Sequence, residues 1–268
     1  MTSISKSAQD RLGEAIRQGA ILENDEARLD LLRENWERSA RYVADVLRLE
    51  LRIENPDITS RQKSLGTIRE KLRRETSIRL SQVRDVAGCR IVLSPGLISQ
   101  RQTVTQIENR FGASVRRSID YLSESQFGYR AIHLELEYEN VLVEIQVRTP
   151  LQHAWAESME RLGDIAGRDV RYHHNYQFEH LLPPAQVIAI SLSKTLADLS
   201  AVIKSYEKIE ERIQSLNYFS KVHPNHLGIR QRYERARISL SLANKKRHLL
   251  KVAQTLKPQF DKLKDALL

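Results

Sequence analysis

Apolar residues change their spacing twice along the chain, and the changes mark three regimes. In the first, Leu31, Leu32, Trp36, Tyr42, Val43, Val46 and Leu47 recur at roughly helical intervals, predicting helices over 6–19 and 24–53. The run Glu54-Asn55-Pro56-Asp57 closes the second helix, because proline restricts the residue before it. A further helix is expected from about Gln62 to Thr76, with Ile68 and Leu72 on one face. The period then shortens to two. GCRIVL (88–93), SVRRSIDYL (114–122), AIHLELEY (131–138) and VLVEIQVRT (141–149) are short and alternating or β-branched, and read as strands. Helices are expected at 99–110 and at 150–166, where Pro150 suits a first turn. Beyond a polar stretch at 168–184 the helical period returns, over 185–216 and 230–255, with a short piece after Pro258. The pattern predicts an α/β chain of the α+β kind: a mixed sheet flanked by helices. N-terminal helices span 1–54, the core 55–175 and a helical C-terminal extension 176–268.

The last two strand segments meet at Glu139-Asn140, where asparagine tolerates the left-handed backbone of a tight turn. A two-residue loop sets Tyr138 opposite Val141. Ile132, Leu134, Leu136 and Tyr138 then share a core face with Val141, Val143, Ile145 and Val147. The other face carries His133, Glu135 and Glu137 against Glu144, Gln146 and Arg148, with Glu135 directly across from Glu144. Like charges in that position destabilise a strand pair. Two readings follow: an ordinary solvated polar face, or a site where a hard cation such as Mg²⁺, which prefers oxygen ligands, sits between carboxylates.

Composition narrows the classes. Hydrophobic residues make up 41% and charged residues 29%, enough for a core and a soluble surface. No uninterrupted apolar run approaches the ~20 residues of a membrane span, and residues 1–19 have no signal-peptide pattern. Cys89 is the single cysteine, which excludes a disulfide framework or a cysteine-built metal site and suggests a reducing cytoplasm. The net charge of +9 resides in the tail: from Lys221 to Leu268 twelve Lys and Arg face three Asp and Glu. That excess suits either a solvated basic helix or an anionic partner.

Two further places add candidate chemistry. Asp85 precedes a buried strand, with Gly88 expected to clear space for a ligand and Arg90 following. Arg61 and Lys63 are expected at a helix entrance with Lys71 two turns on, a set of cations able to hold a polyphosphate. In order along the chain, these residues resemble the synthetase domain of the RelA/SpoT alarmone synthetase family. Arg61-Gln-Lys63 with Ile68 and Lys71-Leu72 is similar to its R-x-K…I-x-x-K-L helix. Asp85-x-x-Gly88-x-Arg90 is similar to its D-x-x-G-x-R strand, and GYRAIH (128–133), EIQVRT (144–149) and HAWAE (153–157) follow.

The resemblance covers about residues 55–165. It implies a nucleotidyltransferase-like core that transfers the β,γ-pyrophosphate of ATP to the 3′-hydroxyl of GDP or GTP, releasing AMP. By the same resemblance Asp85 and Glu144 are catalytic and hold Mg²⁺, with Glu135 a further candidate ligand from the strand register. Arg61, Lys63, Lys71 and Arg90 are expected to grip ATP. Tyr129 would stack on the acceptor base, with Arg130, His133, Gln146 and Arg148 beside it. The chain departs from the family in SIDYLSESQFGYR, which lacks the usual lysines, and at Met159-Glu160, where a glutamate-histidine pair is usual. These departures and the basic tail keep open a toxin-type relative that modifies the 3′ end of tRNA, pairs with a protein antitoxin, or makes adenosine analogues. A catalytically silent RNA-binding module is a third reading. No His-Asp dipeptide is present, so no hydrolase half is expected, and the resemblance implies a stand-alone, synthetase-only cytoplasmic protein without a membrane partner.

Overall fold

The computed structural model describes residues 4–21, 23–53, 56–93, 96–123, 127–171, 176–222 and 229–267. The Glu54-Asn55 turn, residues 124–126 of the lysine-free stretch and His173-His174 lie outside the described residues. Among the described residues eight α-helices and five strands follow one another: α1 (Lys6–Gln18), α2 (Glu23–Glu50), β1 (Asp57–Gln62), α3 (Leu65–Arg74), β2 (Ala87–Val92), α4 (Gly96–Phe111), β3 (Val115–Asp120), β4 (Ile132–Tyr138), β5 (Val141–Arg148), α5 (Pro150–Ala166), α6 (Pro183–Val222), α7 (Ile229–Thr255) and α8 (Lys257–Asp265). The boundaries have local causes. Ser5 and Ser64 cap α1 and α3 through their hydroxyls, Gly19 ends α1 in the left-handed conformation, and Thr149 with Gln152 forms a capping box ahead of Pro150.

β1 was not expected. DITSRQ buries one apolar residue, Ile58, so it carries no period-two signal, and the helix predicted from Gln62 begins at Leu65 instead. The strand lies at the edge of a single sheet ordered β1-β2-β5-β4-β3, which needs apolar cover on one face only; α2 supplies it. Arg61 therefore ends a strand rather than opening a helix. Leu31, expected in the core stripe of α2, is 57% exposed, and Tyr42 instead stacks on Tyr138 with ring centroids 4.3 Å apart.

Two compact units divide the chain. The first comprises Met1–Ile91, Thr103–Ile119 and His133–Val147, so the core segment 55–175 is shared between units. Within it the β4–β5 hairpin closes on Glu139 (φ 48°) and Asn140 (φ 63°), the pair of left-handed residues that a type I′ turn demands. The count of register therefore holds: Leu134, Leu136, Val143 and Ile145 are fully buried. Gly88 of β2 lies against Glu144 of β5. A Cβ at Gly88 would stand 2.9 Å from the Glu144 carbonyl oxygen, so the missing side chain serves strand contact and not ligand space. Cys89, next along β2, is wholly buried, and that burial pushes its thiol up to about 12.

The second unit comprises Val92–Gln102, Asp120–Ile132 and Arg148–Leu268. Its core is α5 packed by α6, α7 and α8, with Trp155, Leu162, Leu192, Leu196, Phe178 and Phe260 among its buried residues. Contrary to the sequence reading, α6 contains an 18-residue window of mean hydropathy 1.4, long and apolar enough by composition to cross a membrane. Serines, a threonine, Lys194 and Asp198 interrupt its apolar residues, so it contains no uninterrupted apolar run of that length. One third of that window is buried inside the protein (33%), and the buried line Ala185, Ala189, Leu192, Leu196, Leu199 and Ile203 belongs to the core. The tail is equally built in: Leu242, Leu249 and Leu256 are buried at seven-residue spacing, while Arg232, Arg237, Lys245, Arg247 and Lys251 are exposed.

Replacing Gly88 by alanine is expected to destabilise the protein by about 1–3 kcal/mol, because strand backbone would have to move. The midpoint of urea unfolding measures this, and an unchanged midpoint would contradict the packing.

Candidate active site

Two clusters hold the residues singled out from the sequence, one in each unit. In the first unit the Lys63 amide donates to the Val86 carbonyl (3.1 Å), which brings Lys63 beside Asp85 just ahead of β2. Lys63 and Lys71 both pair with the Asp85 carboxylate, Lys71 at 3.0 Å to Oδ1. Burial by itself would raise the Asp85 carboxyl, but the two ammonium groups outweigh it and hold the acid below its ordinary range. Burial is also the largest influence on Lys63: with Lys71 and Arg61 nearby, it lowers the ammonium below its ordinary value despite Asp85. Arg61 thus belongs to this cluster through its charge. Arg90 lies on β2, half-buried.

Glu144 sits in a cage of donors. An ionised carboxylate only accepts, so the His133 Nδ1–H donates to its Oε1 (3.0 Å), and Gln146 Nε2 donates to its Oε2 (2.6 Å). Burial and the Asp85 charge push Glu144 up, yet the hydrogen bonds and the charge interaction with His133 prevail, and its pKa lies below the ordinary glutamate value. His133 and Gln146, expected among acceptor contacts, are here bound to Glu144. The Gln146 Oε1 is buried without a partner. Burial of His133, Glu135 and Gln146 rules out the solvated-face reading of this hairpin.

Glu135 differs from expectation. Arg84 Nη1 donates to both of its oxygens at 3.0 Å, so an arginine supplies the positive charge that the strand register had suggested for a metal. Arg84 directly precedes Asp85, and that adjacency was the signal that could have revealed it. Among the described residues, no group of three His, Cys, Asp or Glu side chains is arranged to hold a metal ion. Asp85 and Glu144 offer oxygen donors close enough to feel each other's charge. Such a pair fits a hard cation that brings phosphate and water ligands with it, as Mg²⁺ does, and does not fit an all-protein cage.

In the second unit Tyr129 and Arg148 form a pair: Arg148 Nη2 donates to the Tyr129 hydroxyl (2.7 Å), and the guanidinium carbon lies 5.2 Å from the ring centroid. Tyr121 meets the ring edge-on at 5.5 Å, and Trp155 lies 6.5 Å away. Arg148 is 1% exposed, and its Nε and Nη1 are buried without a partner. Gly128 must be glycine: its φ is +85°, and a Cβ would stand 2.8 Å from Ser200 Oγ and 3.1 Å from Trp155. Arg130, expected at the acceptor, is committed elsewhere. Its Nε donates to Glu207 Oε2 (2.8 Å) and its Nη1 to the Leu122 carbonyl (3.0 Å), with both charged side chains buried. Glu207 had no sequence signal; it is one of several glutamates in a long helix.

Residues 60–162 match the region found in RelA / SpoT proteins. The match covers this segment of the chain and leaves the helices on either side of it outside. An uncharacterized protein of Mycobacterium tuberculosis is 35% identical over 162 residues, 60% of this chain and 59% of its own length. The chain therefore spans about three-fifths of the length of that relative. GTP pyrophosphokinase YjbM of Bacillus subtilis is 32% identical over 119 residues, 37% of this chain and 52% of its own. A crystal structure of small alarmone synthetase 1 from Bacillus subtilis bound to pppGpp is similar at 22% identity and a TM-score of 0.49, over 67% of this chain and 96% of that one.

Removing the His133 donor leaves burial and Asp85 to act on Glu144 unopposed by that hydrogen bond. In His133→Ala the Glu144 carboxyl is expected to titrate at higher pH than in the native protein, measured by carbon NMR of the labelled carboxyl. An unchanged or lower midpoint would contradict the cage.

Proposed function

We propose that this protein is an ATP-dependent pyrophosphokinase that acts on the 3′-hydroxyl of a guanine nucleotide, GDP or GTP, and releases AMP. The observation that carries this reading is the Lys63–Asp85–Lys71 cluster with Glu144 near enough for its charge to sense Asp85. Phosphoryl-type transfer asks little covalent chemistry of a protein; it needs positioning and opposite charge where charge develops. Lys63 and Lys71 exchange Asp85 for the triphosphate, which Arg61 and Arg90 help to hold. A bound Mg²⁺, held by Asp85 and Glu144, would neutralise phosphate charge. Glu144 is kept ionised by His133 and Gln146, so it accepts the hydrogen bond of the acceptor hydroxyl at neutral pH. Its lowered pKa makes it a poor match for a strong general base, whose pKa works best near the operating pH. Orienting the hydroxyl suits it better. Tyr129 offers a ring face to the acceptor base, and Arg148 offers its two unpaired nitrogens to an acceptor phosphate. The GTP pyrophosphokinase relative supports the choice of a guanine acceptor.

A second reading, transfer to tRNA, rests on the exposed arginines and lysines of α7. Salt separates the two, since a polyanion bound by that face weakens steeply as salt rises and a mononucleotide responds far less.

Incubation with γ-labelled ATP, Mg²⁺ and, separately, GDP, GTP, ATP and tRNA is expected to label GDP or GTP. Asp85→Ala and Glu144→Ala are each expected to lose at least about a hundredfold in rate while unfolding cooperatively. Label in tRNA alone overturns the guanine acceptor; near-native turnover in either variant overturns the site.

A further inference from the structure

We infer that Glu207, on the C-terminal helix α6 and outside the matched family region, is a positioning residue for the Tyr129–Arg148 pair. Its two carboxylate oxygens divide the work. Oε2 accepts from Arg130 Nε (2.8 Å), and Oε1 accepts from Thr149 Oγ1 (3.2 Å) and Gln152 Nε2 (2.7 Å). Arg130 is the residue after Tyr129, and Thr149 is the residue after Arg148. One buried carboxylate therefore ties together the two chain segments that present the pair, which is itself joined by a 2.7 Å hydrogen bond.

The tie is rigid for physical reasons. Glu207 is 1% exposed and Arg130 5%, so each is the other's compensating charge, and neither can leave without stranding a buried ion. Gln152 is fixed in turn: its Oε1 accepts from the Thr149 amide (3.1 Å) and from Gln100 Nε2 (2.9 Å), as its Nε2 serves both Gln100 and Glu207. The same helix adds two more contacts. Ser200 Oγ donates to the Gly128 carbonyl (2.7 Å), and Trp155 Nε1 donates to the Leu196 carbonyl (2.7 Å). Glu207 is bonded to the residues that follow Tyr129 and Arg148, and acts through these neighbours. The C-terminal extension is thus part of what shapes the acceptor contacts, whatever its basic outer face binds. The prediction for acceptor binding rests on the function proposed above; the prediction for backbone mobility does not.

Glu207→Gln keeps the side chain's size and an oxygen for Thr149 and Gln152, but it presents an amide donor to the Arg130 donor. It is expected to raise KM for the guanine nucleotide on the order of tenfold to a hundredfold, with KM for ATP unchanged. Amide hydrogen exchange at 128–131 and 149–152 should accelerate together, and Glu207→Asp should recover part of both effects. Ser200→Ala, which leaves the ion pair intact, should shift exchange at 128–131 alone. Native exchange at 128–131 in Glu207→Gln overturns the tie, as does an equal rise in both KM values. If Glu207→Gln fails to fold, Glu207→Asp carries the test, and native exchange at 128–131 in that variant is the overturning result. A native protein that labels no nucleotide overturns the functional reading, and the exchange data then decide the positioning claim by themselves.

Discussion

Strand register constrains this protein more than any single contact, and the two-residue turn at Glu139-Asn140 sets it. Both residues adopt positive φ, which fixes the offset of β4 against β5. β5 is also the middle strand of the sheet, and its neighbour β2 runs parallel to it: Gly88 lies against Glu144, and the Leu93 amide donates to the Arg148 carbonyl (3.0 Å). A slip of one residue would turn Val143 and Ile145 outward and replace Glu144 on its face by a valine or isoleucine. The close approach that Gly88 permits is therefore part of how Glu144 is placed.

Charge compensation is the second theme, and it is uneven in an informative way. Asp85 has two lysines, Glu135 has Arg84, and Arg130 has Glu207. Burying an ion without a partner is costly enough that proteins seldom do it outside functional sites. Arg148 is the exception among the described residues: it is buried, its hydrogen bond goes to a phenol, and two of its nitrogens have none. That imbalance argues for an anion as its missing partner. Asp85 and its lysines differ, since each already compensates the other's charge.

Legibility in the sequence followed the strength of periodicity. The hairpin, both of its faces, the α5 start at Pro150 and the long C-terminal helices could all be read, because each carries several apolar positions in phase. β1 could not, because an edge strand with one buried residue has no pattern to detect. The motif residues were legible as a set, but their partners were less so. His133 holds Glu144, and Arg130 holds Glu207, because burial forces polar side chains onto one another at distances that spacing along the chain does not encode. Gln146, two residues from Glu144 on the same strand face, and Arg84, next to Asp85, lay near enough in sequence to be suspected.

The lone thiol has a practical consequence. Cys89 is fully buried on β2 between neighbours β1 and β5, and its proton is held up to about 12. A thiolate is the reactive form, so alkylating reagents should find almost none of it while the sheet is intact. With no second cysteine in the chain to confuse the signal, the rate of labelling becomes a clock for opening of the sheet's interior, built into the native sequence.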